Sequence, residues 1–371
     1  MAKSDNKLLD LTIKLARKGT GKTSPNPLVG AVVVKGHTIV GIGYHKKCGA
    51  VHAEVMALKK AAGKAKDATL YVNLEPCGHY GRTPPCTNAI IEAGIKRVIV
   101  GMKDPNPINN GKGIRKLRAA GITVSFAPEQ KRFQTLNKVF CKYITKKLPY
   151  VIIKAAQSMD GKIAARTGKS RWISGEDSRA YVQKMRARVD AVMIGVNTLL
   201  KDDPLLSLRC GGKTDATKPV KVVVDTHLRA RPDLKIFSKL SPAPVIIATA
   251  NVAYNKKVIE FKKKKVEILL CPQNRQGRID LRFLMHKLAQ KGIASVLVEG
   301  GGEIIASCFE EKLADEAIFF IAPKIIGGRT SVTSVEGEGI ADLNKAIRIT
   351  ERKYTKLKED LVVEGYVQYK N

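Results

Sequence analysis

The chain has no apolar run long enough to span a bilayer, which argues against a membrane partner. Its start, Met1-Ala2-Lys3-Ser4-Asp5-Asn6, lacks an apolar h-region, so no signal peptide is expected. Aromatic residues are scarce, 5% with a single Trp, and offer no stacking platform for bases. Acidic residues are outnumbered, 33 Asp and Glu against 66 Lys and Arg, and the formal net charge is +33. Such a charge suggests a nucleic-acid partner or, more simply, a lysine-rich surface that attracts small anions. The lysines are spread along the whole chain, which favours the second reading. The one dense run, Lys262-Lys263-Lys264-Lys265, fits the solvated end of a helix before a strand at Val266–Leu270. The seven cysteines are odd in number and scattered, in a chain too large to need staples. That pattern fits a reducing cytosol.

The length implies two domains. Leu8, Leu11, Leu15 and Ala16 recur at helical spacing after Asp5, a candidate N-cap. Strands are expected at Val29–Val34, Thr38–Tyr44, Thr69–Leu74, Lys96–Gly101 and Ile122–Phe126. Helices are expected between them at His52–Ala62, Cys86–Ala93 and Gly113–Ala120. This alternation predicts an α/β sandwich. The basic stretch Asn137–Pro149 reads as the crossing, with Lys147-Leu148-Pro149 breaking any helix, and places the domains at 1–146 and 147–371. A second α/β run follows: Tyr150–Ala155, Asp190–Gly195, Val220–Asp225, Pro244–Thr249, Val266–Leu270, Ser295–Val298 and Glu316–Ile321. Ile347–Glu351 and Leu361–Tyr369 suit a closing hairpin. No internal repeat or low-complexity segment is visible.

The chemistry concentrates in His52-Ala53-Glu54, Pro76-Cys77 and Cys86. One His and two Cys supply three zinc ligands and leave the fourth tetrahedral position open, as in catalytic rather than structural sites. Glu54 is needed for no ligand role and is placed to move protons. The H-x-E…P-C…C set is the signature of zinc deaminases acting on amino-substituted rings. Residues two apart do not share a helix face. His52 and Glu54 therefore converge only at a helix start, which Gly49 and the run Ala53–Ala62 permit. Cys86 follows Pro84-Pro85, and Pro favours a helix start too. The bland alternative is a small zinc knuckle or unrelated core thiols; neither has a use for Glu54. The cysteines are not the C-x-x-C of nucleic-acid and nucleoside deaminases, because Gly78-His79-Tyr80-Gly81-Arg82-Thr83-Pro84-Pro85 lies between them. Cys48 as a further ligand would close the open site, so it reads as a bystander. Asn26 is a candidate for bonding a ring amide or a plain turn residue, and Arg82 for pairing with a phosphate or an exposed loop charge.

With these motifs the run Pro25-Asn26-Pro27-Leu28-Val29-Gly30, the stretch from Leu74 to Cys86 and Asp104-Pro105-Asn106-Pro107 resemble the bifunctional riboflavin-biosynthesis deaminase/reductase family, over essentially the whole chain. The T-P-P-C form of the second cysteine motif is the most specific element. The resemblance implies a cytidine-deaminase-like α/β/α domain followed by a dihydrofolate-reductase-like α/β domain, with zinc and NADPH as cofactors. It implies that Arg82 and Asn106 help hold the substrate's ribose phosphate. Two departures from the family pattern are Lys47-Cys48-Gly49-Ala50-Val51, where a Gly/Pro-richer loop is usual, and Ile108-Asn109-Asn110-Gly111-Lys112-Gly113, in place of V-x-G-x-G. Neither touches the zinc ligands.

In the second half, Val296-Leu297-Val298-Glu299-Gly300-Gly301-Gly302-Glu303 leads from a strand through glycines into a helix. Bare glycines let backbone N–H groups approach a phosphate, or simply make a tight turn; this is not a G-x-G-x-x-G fingerprint. Ser158–Ala164, Ser170–Ser174 and Asp202–Leu206 are similar to the family's reductase domain. By position the resemblance places Ala156, Trp172, Thr198, Asp202 and Thr226 on NADPH, with Gly301, Gly302, Glu303, Ile304, Ile305, Ala306 and Ser307. It places Lys154, Ser170, Arg186, Leu206, Arg209 and Glu299 on the substrate. Taken alone, each Arg reads as a surface salt bridge and Trp172 as core. The implied reactions are deamination of a diaminopyrimidinone ribosylamine phosphate and reduction of its ribosyl group, by an enzyme often dimeric or larger. Two alternatives stand beside this: a nucleoside or nucleic-acid deaminase with an accessory domain, and a non-catalytic basic zinc module that binds nucleic acid.

Overall fold

The computed structural model describes residues 3–80, 84–208, 219–240, 242–250 and 256–370. The chain falls into two units, Met1–Leu148 and Pro149–Asn371. The first unit runs α1 (Lys3–Ala16), β1 (Gly30–Lys35), β2 (Thr38–Tyr44), α2 (Ala53–Ala61), β3 (Thr69–Val72), α3 (Cys86–Glu92), β4 (Arg97–Val100), α4 (Lys112–Ala119), β5 (Thr123–Phe126), α5 (Lys131–Leu136) and α6 (Lys138–Lys146). Its sheet has the order β2-β1-β3-β4-β5. β1 is antiparallel to both neighbours, and β3, β4 and β5 are parallel. Alternate side chains on β1 feed two cores. Ala31 and Val33 pack with Ala53, Ala57, Ile90, Ile114 and Leu117 from α2, α3 and α4, whereas Val32 and Val34 pack with Leu9, Leu15, Phe133 and Phe140 from α1, α5 and α6. The result is an α/β/α sandwich. The stretch expected to be a bare crossing is mostly the helix α6, which ends at Lys147 in the left-handed conformation. The residues before Pro149 break the helix, but only after it has laid Phe140 into the core.

One seam of this unit sets the site. Ala53, Ala57 and Ala61 recur every fourth residue on the buried side of α2. A Cβ on Gly43 would lie 2.2 Å from the Ala53 carbonyl oxygen, and one on Gly41 would lie 2.1 Å from that of Ala57. Small residues on both sides therefore let α2 lie against β2 backbone to backbone, which fixes where the helix begins.

The second unit runs β6 (Tyr150–Ser158), α7 (Glu176–Arg186), β7 (Ala191–Gly195), α8 (Val196–Asp202), β8 (Val220–Val224), β9 (Val245–Thr249), α9 (Lys256–Lys263), β10 (Glu267–Leu270), α10 (Leu281–Gln290), β11 (Ser295–Val298), α11 (Gly302–Glu310), β12 (Glu316–Ala322), β13 (Arg348–Leu357) and β14 (Asp360–Gln368). The sheet order is β10-β9-β8-β7-β11-β6-β12-β14-β13. The strands from β10 to β12 are mutually parallel, and the β13–β14 hairpin is added antiparallel at one edge. Near-continuous apolar runs such as Val192–Ile194 and Val222–Val223 suit strands covered on both faces. A ligand cleft is expected at the carboxyl ends of such strands.

Candidate active sites

In the first unit, His52 is the N-cap of α2 in extended conformation and Cys86 opens α3 after Pro85. The imidazole Nδ1 of His52 lies 3.0 Å from Cys86 Sγ and 3.6 Å from Cys77 Sγ. The three ligand atoms all lie within 4.8 Å of one another, and among the described residues no fourth joins them. The Cys86 backbone N–H donates to Cys77 Sγ at 3.2 Å. The Cys77 thiol is held well below its ordinary value, chiefly by the hydrogen bond from the Cys86 thiol and also by His52. One imidazole and two sulfurs at this spacing, with a thiolate already favoured, fit a zinc ion with one position to spare. Glu54 is buried beside them and bonded to the Cys86 thiol; burial first, and the Cys77 charge second, push its carboxyl up to about 7.

Asn26 points its amide at His45, with Nδ2 3.2 Å from Nε2. The other His45 nitrogen, Nδ1, lies 3.3 Å from the Val51 carbonyl oxygen, and burial lowers the pKa of the ring. A neutral His45 that donates from Nδ1 and accepts at Nε2 satisfies both contacts. Its ring also meets that of His52 edge-on at 5.4 Å. His45 thus braces Asn26 and a zinc ligand together, and nothing in the sequence marked it. Asn106 closes a turn: its own N–H donates to Asp104, and its Oδ1 accepts from the Ile108 N–H. Arg82 lies outside the described residues.

Asn109 was also missed, although it sits in one of the departures from the family pattern. It is fully buried; its Oδ1 accepts from the Gly78 N–H at 2.9 Å, and its Nδ2 lies 3.1 Å from Asp104 Oδ2 and 3.4 Å from the Pro76 carbonyl oxygen. Glu75 works beside it, accepting from the N–H groups of Asp104, Gly111 and Ile114. The two residues tie the Cys77 loop to the Asp104–Asn106 loop.

In the second unit a cavity of about 1220 Å³ opens at the carboxyl ends of β6, β7, β8 and β11. It is lined by Lys154, Ala156, Ser170, Trp172, Arg186, Thr198, Asp202, Leu206, Thr226, Glu299, Gly301, Gly302, Glu303, Ile304, Ile305 and Ser307. Ala306 does not line it; the residue is buried, on the side where Gly337 packs. Arg209 lies outside the described residues. The Gly301 N–H donates to Thr198 Oγ1 at 2.9 Å, and a Cβ there would come within 3.2 Å of that oxygen. Gly300 and Gly301 both have positive φ, at 139° and 29°. The turn into α11 therefore brings backbone bare of side chains at Gly300 and Gly301 to the cleft wall, which suits close approach of the pyrophosphate of a dinucleotide.

Arg186 is neither a surface charge nor a free phosphate clamp. Its Nε and Nη2 form a fork on Glu299 at 2.5 and 2.7 Å, with side-chain exposures of 15% and 5%. Lys154 lies in the same cluster, with its pKa lowered first by burial, while Glu299 draws it up and Arg186 draws it down. Ser170 Oγ donates to Asp202 at 2.9 Å. Trp172 is 61% exposed, with the Arg179 guanidinium 4.4 Å from its ring centre, so it belongs to the cleft rather than the core. Lys324 holds the Trp172 and Ile173 carbonyls in place.

Residues 149–363 match the family described as RibD C-terminal domain, and residues 2–102 match the cytidine and deoxycytidylate deaminase zinc-binding region. The riboflavin biosynthesis protein RibD of Aquifex aeolicus is 43% identical, over 97% of this chain and 97% of that protein. The chain belongs to the RibD family. It is a bifunctional enzyme of riboflavin biosynthesis, a zinc deaminase joined to an NADPH-dependent reductase. Solved RibD structures agree along the whole length. One from Acinetobacter baumannii has a TM-score of 0.88 at 33% identity, covering 99% of both chains. A diaminohydroxyphosphoribosylaminopyrimidine deaminase/5-amino-6-(5-phosphoribosylamino)uracil reductase from Thermotoga maritima has a TM-score of 0.84 at 34% identity, covering 98% of this chain and 99% of that one. No helix among the described residues is long and apolar enough to cross a membrane.

Proposed function

We propose that the chain releases ammonia from 2,5-diamino-6-ribosylamino-4(3H)-pyrimidinone 5′-phosphate and then reduces the ribosyl group to ribityl. His52, Cys77 and Cys86 hold the zinc. When bound, zinc supplies the Lewis acidity that makes water a nucleophile at neutral pH. Glu54 takes the proton from the attacking water and returns one to the departing amine, so that water is added at the ring carbon and ammonia leaves. A carboxyl raised to about 7 by burial exchanges protons near neutral pH. Asn26, oriented by His45, bonds the ring amide, and Asn106 and Arg82 hold the ribose phosphate.

In the reductase unit NADPH supplies the hydride. Gly301–Ile305, Ser307 and Thr198 would hold its pyrophosphate end, and Ala156, Trp172, Asp202 and Thr226 would hold the remainder. Lys154, Ser170, Arg186, Leu206 and Glu299 face the substrate, and the family resemblance adds Arg209 as a contact. Because Glu299 occupies two donors of Arg186, the pair acts as a fixed polar floor with Lys154 as its mobile proton carrier. Among the described residues no two cysteines form a disulfide, which supports a reducing cytosolic location. Exposed apolar residues along the hairpin and its approach, Ile340, Leu343, Tyr354 and Leu361, support a homo-oligomer.

The observation that carries the reading is Glu54, a buried acid–base group in bonding reach of a three-ligand cluster that has one position to spare. The test is to give zinc-loaded protein the diaminopyrimidinone substrate and follow ammonia and NADPH absorbance together. Ammonia without NADPH, then NADPH oxidation that requires prior deamination, is the expected result. Glu54→Gln lowers ammonia release by at least about a hundredfold yet still reduces the deaminated substrate. Wild-type protein that releases no ammonia would refute the substrate assignment.

A further inference from the structure

The cleft of the reductase unit has two distinguishable ends. At one, Lys154, Arg186 and Glu299 form the polar floor beside Ser170. In the middle, the Gly300–Gly302 turn begins α11 above β11. Sheet order continues from β11 through β7 to β8, so the β8 end lies two strand spacings, roughly 10 Å, from the glycine turn. A dinucleotide with its pyrophosphate on the glycines and its reacting ring over the polar floor must lay its adenosine over β7 and β8. The residues just past β8 that line the cleft are Thr226 and Arg229.

Arg229 stands out at that end. Its Nη2 donates to the Asn197 side-chain oxygen at 2.8 Å, both residues line the cleft, and among the described residues no carboxylate pairs with it. The other cations lining the cleft nearby are already neutralised. Lys235 pairs with Asp203 at 3.3 Å, and Arg278 pairs with Glu303 and Glu310 at 3.3 and 2.8 Å. Lys201 lines the cleft with Ser170, Arg171 and Asp202 and acts on Glu336, which packs against Gly302 at the glycine turn rather than past β8. An amide-braced guanidinium at the adenosine end suits a phosphate dianion by a planar, charge-assisted fork.

We propose that Arg229 binds the 2′-phosphate of the adenosine ribose, and that this contact makes the reductase unit select NADPH over NADH. The assignment rests on the cofactor lying along the strand ends as described. NADH, lacking that phosphate, leaves Arg229 merely solvated, so the residue contributes to one cofactor and not the other.

The experiment measures calorimetric binding of 2′,5′-ADP and of 5′-ADP to the full chain, for wild type, Arg229→Gln and Lys235→Gln. Wild type favours 2′,5′-ADP by about 10- to 100-fold. Arg229→Gln abolishes most of that preference while 5′-ADP affinity stays, and in turnover the loss falls on KM for NADPH rather than on KM for NADH. Lys235→Gln keeps the wild-type ratio. Arg229 is exposed, so an unchanged melting temperature accompanies the substitution. A preference that survives in Arg229→Gln overturns the assignment. Equal loss of both nucleotides overturns it too, because the side chain would then shape the adenosine pocket rather than read the phosphate. Wild type that binds neither nucleotide, yet oxidises NADPH, overturns the placement of the cofactor itself.

Discussion

The two sites are built on opposite plans. The zinc site draws its ligands and its proposed acid–base group from two helix starts and one loop, all within His52–Cys86, and each residue contributes one particular atom. The reductase cleft gathers side chains from β6, α7, α8, β8 and α11 and from the loops between them, and several of its charged groups are paired with one another. Chemistry that needs a particular atom is concentrated in a few side chains. Chemistry performed largely by a bound cofactor needs shape and orientation, and these are distributed over backbone. The two plans predict different responses to substitution.

The largest effect in the reductase unit is expected at Glu299. Glu299→Gln leaves Arg186 and Lys154 buried without their counter-charge, a change that typically costs about 3–5 kcal/mol. The second unit should melt at a lower temperature, and NADPH oxidation should fall by at least about a hundredfold. Ammonia release should stay within about twofold of wild type at 25 °C, since no metal ligand or acid–base group of the zinc site belongs to that cluster. Parallel loss of both activities would show that the two plans are not independent.

A smaller effect, confined to the other unit, is expected at Asn109. Asn109→Val removes the acceptor of the Gly78 N–H and the partner of Asp104. Residues that orient a metal ligand indirectly are worth about 10- to 100-fold in metal affinity or activity. Zinc should be lost to a chelator at lower concentration, deamination should fall about tenfold, and excess zinc should restore part of it. Full activity without any change in zinc affinity would mean that Glu75 alone secures the Cys77 loop.

How much was visible in the sequence follows the same division. His52, Glu54, Cys77 and Cys86 stood out because ligand chemistry is tied to residue type and spacing, and strands such as Thr38–Tyr44 and Ser295–Val298 were legible to the residue from their apolar runs. His45 and Asn109 were not, because their roles depend on partners 19 and 31 positions away that only the folded chain brings near. The Arg186–Glu299 fork spans 113 positions, so in the sequence its two members stand as separate substrate contacts, with a surface salt bridge as the plain alternative for the Arg. Helix α6 was hidden by the Lys and Pro that end it; the apolar Phe140 that anchors it lies in the middle of a basic stretch.

Lys221 bears on stability alone and sharpens the comparison, since it is a charge buried in the second unit that does not itself line the cleft. It lies fully buried on β8, and burial first, with Arg186 second, pushes its pKa from 10.5 down to about 8. Between about 8 and 10.5 the unfolded chain binds more protons at this position than the folded one, so its contribution to stability rises with pH across that window. Below about 8 the folded protein carries the charge inside at a constant cost. The full difference is at most about 3 kcal/mol. Lys221→Met should therefore be more stable than wild type near pH 7 and lose that advantage as the pH approaches 10, measured by denaturant unfolding of both proteins at a series of pH values. A difference between the two that does not vary with pH would mean that Lys221 keeps its ordinary affinity for the proton in the fold, and that burial on β8 does not disfavour its charge.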